Sequence, residues 1–393
     1  MHRFLSQPVT QASALRIVAL AIGILGSVVI ARLGGAEVKG VASAFAASNA
    51  LVFAFINFDI PFQALRRGRA VGELGAVGPV LARAWALYVV VGSAIAIVLL
   101  ALTLPGTWLV IGAVAFLLGA QAAVAATGLH GPVVGAWGAA IQQAGILAGS
   151  LILAMADLLT VDSVLYVIVA SYLAPMAYYA KYLMSDGGAL GPHGFRQLGH
   201  LVWSGLAWQV ARIPQMLLQK VDTVVVFLAL GSSVAGIYSV GLSLAMLCTI
   251  VPAQFASSGL HEATRGRSKN PARQSTLAAY SGVFAAAILA AAGAPAIEFM
   301  YGTEFVDAYP VMLACLGGAC AFGIMQVQSN YIRILGAAHH LLLINSLGLV
   351  CMIGGFFLLI PALGAVGAGL SFSIGGIAAA SVTIILRRKF FAA

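Results

Sequence analysis

The chain has 393 residues, of which 62% are hydrophobic and only 8% charged, with a formal net charge of +9. A mean hydropathy of +1.03 excludes a soluble globular domain and places the chain among polytopic membrane proteins. The positive charge is not gathered into a basic domain, which excludes a nucleic-acid-binding module as its explanation.

Apolar windows of roughly 20 residues predict about twelve membrane spans. They fall near 14–33, 40–60, 80–103, 108–129, 134–156, 163–183, 203–230, 235–260, 276–300, 310–333, 340–361 and 364–386. The first span follows His2 and Arg3 as a signal peptide would. No small-x-small cleavage site comes after it, and Ala31-Arg32-Leu33-Gly34-Gly35 leads into another hydrophobic run, so it is expected to be retained. The connections are short and none can hold a folded extramembrane domain. The 45 glycines lie mostly within apolar spans and predict close helix packing rather than a phosphate loop.

The loops set an orientation. With the N-terminus in the cytoplasm, sixteen of the twenty Lys and Arg residues fall on the inner side, including the clusters at 66–69, 265–273 and 387–389. The outer side keeps Arg32 and Lys39 together with most of the acids: Glu37, Asp157, Asp162, Glu298, Glu304 and Asp307. This bias predicts cytoplasmic N- and C-termini.

An internal repeat halves the chain. At an offset of 196 residues, Arg16-Ile17 falls on Arg212-Ile213 and Ser27-Val-Val-Ile on Thr223-Val-Val-Val. Gly35 falls on Gly231, Gly40 on Gly236 and Ser43 on Ser239 at the same offset. Six spans per copy make the repeats parallel, related by an axis along the membrane normal. The expected fold is all-α and membrane-embedded: two six-helix lobes, residues 1–190 and 191–393, joined through the Gly-containing stretch 185–200.

The polar residues inside the spans carry the functional reading. Span 7 contains Arg212-Ile-Pro-Gln-Met-Leu-Leu-Gln-Lys-Val-Asp222 in an otherwise apolar run. A charge within a membrane helix costs at least a few kcal/mol and marks a pathway or a binding site. At 100° per residue, Gln215 and Gln219 lie within about 60° of Arg212, with Gln209, Lys220 and Asp222 within about 80°. Lys220 is about 12 Å deeper than Arg212, too far from an interface to snorkel readily. Arg16 is the repeat equivalent of Arg212, and two guanidiniums at a repeat interface suit a phosphate or pyrophosphate. The competing reading makes both arginines interfacial anchors and Lys220 half of an interhelical ion pair. Asn57 and Asp59 on span 2 add polar groups. Asp222 and Asp59 are candidates for coupling to a proton or sodium gradient. Further amides and hydroxyls on spans 2, 5, 8 and 10, Gln142, Gln143, Tyr238, Gln326 and Gln328 among them, suit a hydrated cavity or plain interhelical hydrogen bonding.

Enzymatic chemistry is not expected, because no loop holds a nucleophile with a base. No metal site is expected either. Cys248, Cys315, Cys320 and Cys351 all lie in apolar runs, and His339-His340 has no carboxylate or thiol beside it.

Four segments resemble polysaccharide-type flippases, within the superfamily of multidrug, oligosaccharidyl-lipid and polysaccharide exporters. Ala31-Arg-Leu-Gly-Gly-Ala-Glu-Val-Lys-Gly40 is similar to the first-loop signature. Val221-Asp222 through Leu230-Gly231 and Gly236-Ile-Tyr-Ser239 is similar to the junction of helices 7 and 8. Tyr301-Gly-Thr-Glu-Phe305 resembles the element after helix 9, and Leu359-Ile-Pro-Ala-Leu-Gly-Ala-Val-Gly-Ala368 the turn between helices 11 and 12. Ala42 departs from the pattern, which often has an aromatic there; Tyr238 keeps it in the second half.

The resemblance implies flipping of undecaprenyl-pyrophosphate-linked oligosaccharide from the cytoplasmic to the periplasmic leaflet of a bacterial inner membrane, by alternating access. It implies no cofactor beyond an ion gradient or membrane potential. The expected partners are the lipid-linked glycan, membrane lipid and the glycosyltransferases and polymerase of the same pathway, with no nucleic acid and a monomeric chain. On this view Arg212, Lys220 and Arg16 hold the pyrophosphate, and the amides and hydroxyls contact sugar. A multidrug exporter is the alternative within the superfamily, although cationic drugs favour acidic cavities. A membrane glycan polymerase or ligase ranks third, since it would need a larger outer loop.

Overall fold

The computed structural model describes residues 8–56, 84–86, 89–90, 107–185, 193–263, 271–334 and 338–390. Among these residues all regular secondary structure is helical. In chain order the helices are α1 (Pro8–Ile56), α2 (Thr107–His130), α3 (Pro132–Met155), α4 (Val161–Ser185), α5 (His193–Leu230), α6 (Ser232–Ala245), α7 (Ile250–Ala263), α8 (Pro271–Tyr301), α9 (Ala308–Ile334) and α10 (Ala338–Phe390). Nine apolar stretches of the described residues are long enough to cross a membrane. Two of them, Gln11–Phe55 and Ala338–Leu386, have the length of two crossings each. Both break once, at Gly35 (φ 77°) and at Gly364 (φ 58°). Every expected span thus has its helix except the third, most of which lies outside the described residues. Of the hinge stretch 185–200, residues 186–192 are outside them, and α5 begins at His193.

The breaks fall where the backbone needs a left-handed residue. Gly231 (φ 91°) separates α5 from α6, and its repeat mate Gly35 does the same within α1. The repeat continues further than these positions: Gly302-Thr303-Glu304-Phe305-Val306, the turn between α8 and α9, lies 196 residues after Gly106-Thr107-Trp108-Leu109-Val110. One irregularity has a different cause. A 3-10 turn over Met246–Thr249 divides α6 from α7 just ahead of Pro252. A proline ring crowds the carbonyl four residues earlier, here that of Cys248, and so disfavours a regular α-helical turn.

The described residues form two compact units. One contains residues up to Leu33 together with Ser48–Gln209; the other contains Gly34–Ala47 together with the chain from Val210 onward. In the first unit α2, α3 and α4 pack on one another. Phe116 of α2 stands edge-on to Phe53 at 5.3 Å and to Tyr172 at 5.0 Å. In the second unit α9 is central, packed against α6, α7, α8 and α10. Phe322 stacks on Phe372 at 5.1 Å, and the Ser373 hydroxyl donates to the Ala314 carbonyl at 2.5 Å.

The segment Gly34–Ala47 belongs to the first repeat in sequence and to the second unit in space. It crosses α6 through equivalent small residues. The Ser43 hydroxyl donates to the Ser239 hydroxyl at 3.0 Å, across a sequence separation of 196. A Cβ on Gly40 would strike the Ser232 carbonyl, and one on Gly236 would strike the Ala36 carbonyl. Since 36 pairs with 232 and 40 with 236 in the repeat, these contacts are reciprocal. The two segments therefore run parallel and meet across a local two-fold axis, with backbones in direct contact as small-xxx-small faces allow. The carboxylate of Glu304 accepts the Ala36 amide N–H at 3.1 Å and caps the helix that restarts after Gly35.

A leucine at position 40 has no space in this crossing. Gly40→Leu should destabilise the protein by about 1–3 kcal/mol or more. Thermal unfolding in detergent should show a clear fall in Tm, whereas Gly354→Ala, with nothing within 4 Å of its Cβ position, should leave Tm unchanged or slightly raised.

Candidate binding face on α5

α5 continues through Pro214, although proline removes one of its hydrogen bonds. Ala211, Pro214, Leu218, Asp222 and Val226 are buried along one side. Four-residue spacing puts most of them on one stripe. Leu218 of this stripe lies 3.3 Å from the position a Cβ on Gly348 would take and 3.0 Å from that on Gly375, which places it against α10. Arg212, Gln215 and Gln219 are half-buried and Lys220 is exposed. Measured from Leu218, Arg212 and Gln219 stand about 100–120° around the helix, and Lys220 about 160° away. Lys220 thus lies opposite Leu218 on α5, Arg212 and Gln219 lie on its flank near buried Thr223, and Gln215, about 60° from Leu218, lies beside the buried stripe. Arg212 and Lys220 are eight residues apart, so the face is cationic over about 12 Å.

Asp222 takes the other direction. It is fully buried, accepting the Tyr238 hydroxyl at 2.7 Å and the Thr223 amide at 2.8 Å. Lys220 is near enough to act on Asp222 electrostatically, but no ion pair joins them among the described residues. Among the described charged side chains of α5, Lys220 is therefore exposed, Arg212 half-buried and Asp222 inside. Two donors stabilise a buried carboxylate, and deleting one leaves it under-solvated.

The remaining predicted site residues are distributed as follows. Arg16 is half-buried on α1 in the first unit, where it acts electrostatically on Tyr179. Tyr179 also donates to the Gly135 carbonyl at 3.4 Å. Asn57 and Asp59 lie outside the described residues. Among the secondary candidates, the Gln328 amide donates to the Ser275 hydroxyl at 3.2 Å, an interhelical bond within the second unit. Tyr238 is committed to Asp222. Gln142 and Gln143 are half-buried on α3, and Gln326 is exposed on α9.

Two features escape a reading of the sequence alone. One is the Asp222–Tyr238 bond. Its signal is position: Asp222 stands nine residues before Gly231 and Tyr238 seven after it, so a hairpin there brings them level. Their repeat mates, Gly26 and Ala42, lack both polar groups together. The other is Lys39, expected in an outer loop but helical and only 9% exposed.

No family model matches this chain, and no curated protein does. Solved structures do share its fold. The lipid II flippase MurJ, in an inward closed conformation, superposes with a TM-score of 0.73 at 13% identity, covering 96% of this chain and 87% of that one. A MATE transporter in complex with MaL6 gives a TM-score of 0.68 at 13% identity, covering 98% and 99%. The Vibrio cholerae MATE transporter VcmN in its bent form gives 0.55 at 14% identity, covering 97% of this chain and 98% of that one. The class is accordingly that of all-α multi-pass membrane proteins with about twelve transmembrane helices in two lobes, the fold on which lipid flippases and multidrug transporters are built.

Tyr238→Phe removes a donor from a buried carboxylate and should cost about 1–3 kcal/mol of stability. A double-mutant cycle with Asp222→Asn, read by thermal unfolding, should give a combined loss well below the sum of the single losses. Lys220→Ala, at an exposed position, should leave Tm within error.

Proposed function

We propose that this protein is a flippase that moves an undecaprenyl-pyrophosphate-linked oligosaccharide from the cytoplasmic to the periplasmic leaflet of a bacterial inner membrane, for O-antigen or exopolysaccharide synthesis. The observation that carries the reading is the run of cationic and amide groups along α5, with Arg212, Gln215 and Gln219 half-buried and Lys220 exposed, while Asp222 is fully buried. A guanidinium gives bidentate hydrogen bonds to phosphate oxygens, and an ammonium a turn or two deeper adds a mobile point charge. Gln215 and Gln219 supply neutral donors and acceptors for hydroxyl groups. The prenyl chain stays in lipid, where its burial needs no protein pocket. The fold likeness to the lipid II flippase MurJ supports the same substrate class.

In this reading the sixteen inner Lys and Arg residues hold the N- and C-termini in the cytoplasm. Arg16 adds a second guanidinium from the first repeat, and Asn57 a further amide. Asp222, with Tyr238 as its donor, and Asp59 are the groups proposed to couple transport to a proton or sodium gradient. The glycosyltransferases that build the glycan and the polymerase that consumes it are the functional neighbours, and the chain acts as a monomer.

Multidrug export is the second reading, favoured by the likeness to MATE transporters. An organic cation calls for an accessible carboxylate, and the one carboxylate described on α5 is fully buried and already bonded.

Arg212→Ala and Lys220→Ala should each abolish surface glycan and accumulate the prenyl-pyrophosphate oligosaccharide in the lipid fraction, with membrane insertion intact. Mass spectrometry of extracted lipids reads the outcome. Normal glycan in both variants, with altered drug sensitivity on deleting the gene, would favour the exporter.

A further inference from the structure

The Gly40/Gly236 crossing brings together more than small side chains. The helix that restarts at Ala36 and helix α6, which begins at Ser232, touch within their first turns, because the contacts run from Gly40 to the Ser232 carbonyl and from Gly236 to the Ala36 carbonyl. Each helix N-terminus presents free amide N–H groups and a partial positive charge. On the first helix Glu304 takes one of these amides. On α6 no side chain caps the start: the N-cap position is Gly231, which has nothing to offer.

Lys39 belongs to the first turn of the helix that restarts at Ala36. It stands about 60° around the helix from Ala36 and about 40° from Ser43, on the flank of the crossing. Helical side chains lean toward the N-terminus, so its stem runs back toward the two helix starts. Lys39 is 9% exposed, and among the described residues it has no hydrogen bond and no carboxylate partner. The same position in the other repeat is Ala235, wholly buried on the matching flank of the same crossing. A cation that is buried, has no partner among the described residues and is replaced by alanine in the other repeat marks a ligand site in a membrane protein.

We propose that Lys39, with the uncapped first turn of α6, forms an anion site that takes a phosphate-bearing headgroup. It is a station separate from the α5 face, since it uses the opposite end of the α5–α6 hairpin, beside Gly231. Backbone N–H groups at a helix start and a lysine together complement a phosphate oxygen and its charge. The site is on the outer side if the orientation proposed above holds, where it would receive the pyrophosphate of a departing lipid-linked glycan or the phosphate of a resident lipid.

The test uses the full-length protein purified in a neutral detergent, with inorganic pyrophosphate as the probe and Tm as the readout. Arg212→Ala, carrying Lys220→Ala throughout, is the background, so that the cations of the α5 face do not contribute. Pyrophosphate should still raise Tm in Arg212→Ala, should lose that effect in Arg212→Ala/Lys39→Met, and should keep it in Arg212→Ala/Lys39→Arg. An unliganded Tm for the methionine variant equal to or above that of its background would show that it folds. Equal pyrophosphate responses with and without Lys39, or no response once Arg212 is gone, overturns the proposal. The latter result leaves the α5 reading standing, and loss of flipping without loss of this response does the reverse. Nanodiscs separate the two sources. A response present in phosphatidylcholine and suppressed in phosphatidylglycerol assigns the site to lipid headgroups, and one unchanged between them assigns it to the cargo.

Discussion

The contact on which the architecture turns is the crossing of two backbones at Gly40 and Gly236. A membrane interior gives helices no hydrophobic reason to associate, so close van der Waals packing and interhelical hydrogen bonds must hold them. Here both act at one point, with glycine against carbonyl in each direction and the Ser43–Ser239 hydroxyl bond beneath. Because the partners are repeat mates, one sequence pattern supplies both sides of the interface. A crossing of this kind fixes register as well as distance, and it binds the segment Gly34–Ala47 to the second unit although the first repeat encodes it.

What differs between the repeats is more informative about function than what they share. Gly26 and Ala42 in the first copy stand where Asp222 and Tyr238 form a buried hydrogen bond in the second, and Ala235 stands where the first has Lys39. Shared residues are those of the turn and the crossing: Gly35 with Gly231, Gly40 with Gly236, Ser43 with Ser239. Most of the charged and buried polar groups on this scaffold occur in one copy alone. Arg16 and Arg212 are the exception, a charge kept in both. Asp222 is buried against Tyr238 on a different side of α5 from Lys220.

Much of this was legible in the sequence. A span needs about 20 apolar residues, so windows of that length locate helices with little ambiguity. The repeat offset of 196 reappeared as a physical contact. Lys39 was misplaced because Gly34-Gly35 with Glu37 and Lys39 reads as a polar loop. Only Gly35 leaves helical geometry, however, and the helix resumes at once. The cap from Glu304 to Ala36 joins residues 268 apart and has no local signature. The Asp222–Tyr238 bond has one, in the near-equal distances from Gly231, but it needs the hairpin in place before it can be seen. The exposure of Lys220 follows from the packing of α5 by its buried stripe, which a helical wheel centred on Arg212 does not define.

The central claim is that the α5 face holds a pyrophosphate, and translocation in a purified system tests it most directly. The protein would be reconstituted into vesicles with a fluorescent, short-chain prenyl-pyrophosphate oligosaccharide, and the label reaching the opposite leaflet measured by quenching. Transfer well above that of protein-free vesicles, and reduced to background by Arg212→Ala, is the predicted result. Transfer no faster than in protein-free vesicles, under conditions where the same vesicles move an organic cation, would contradict it.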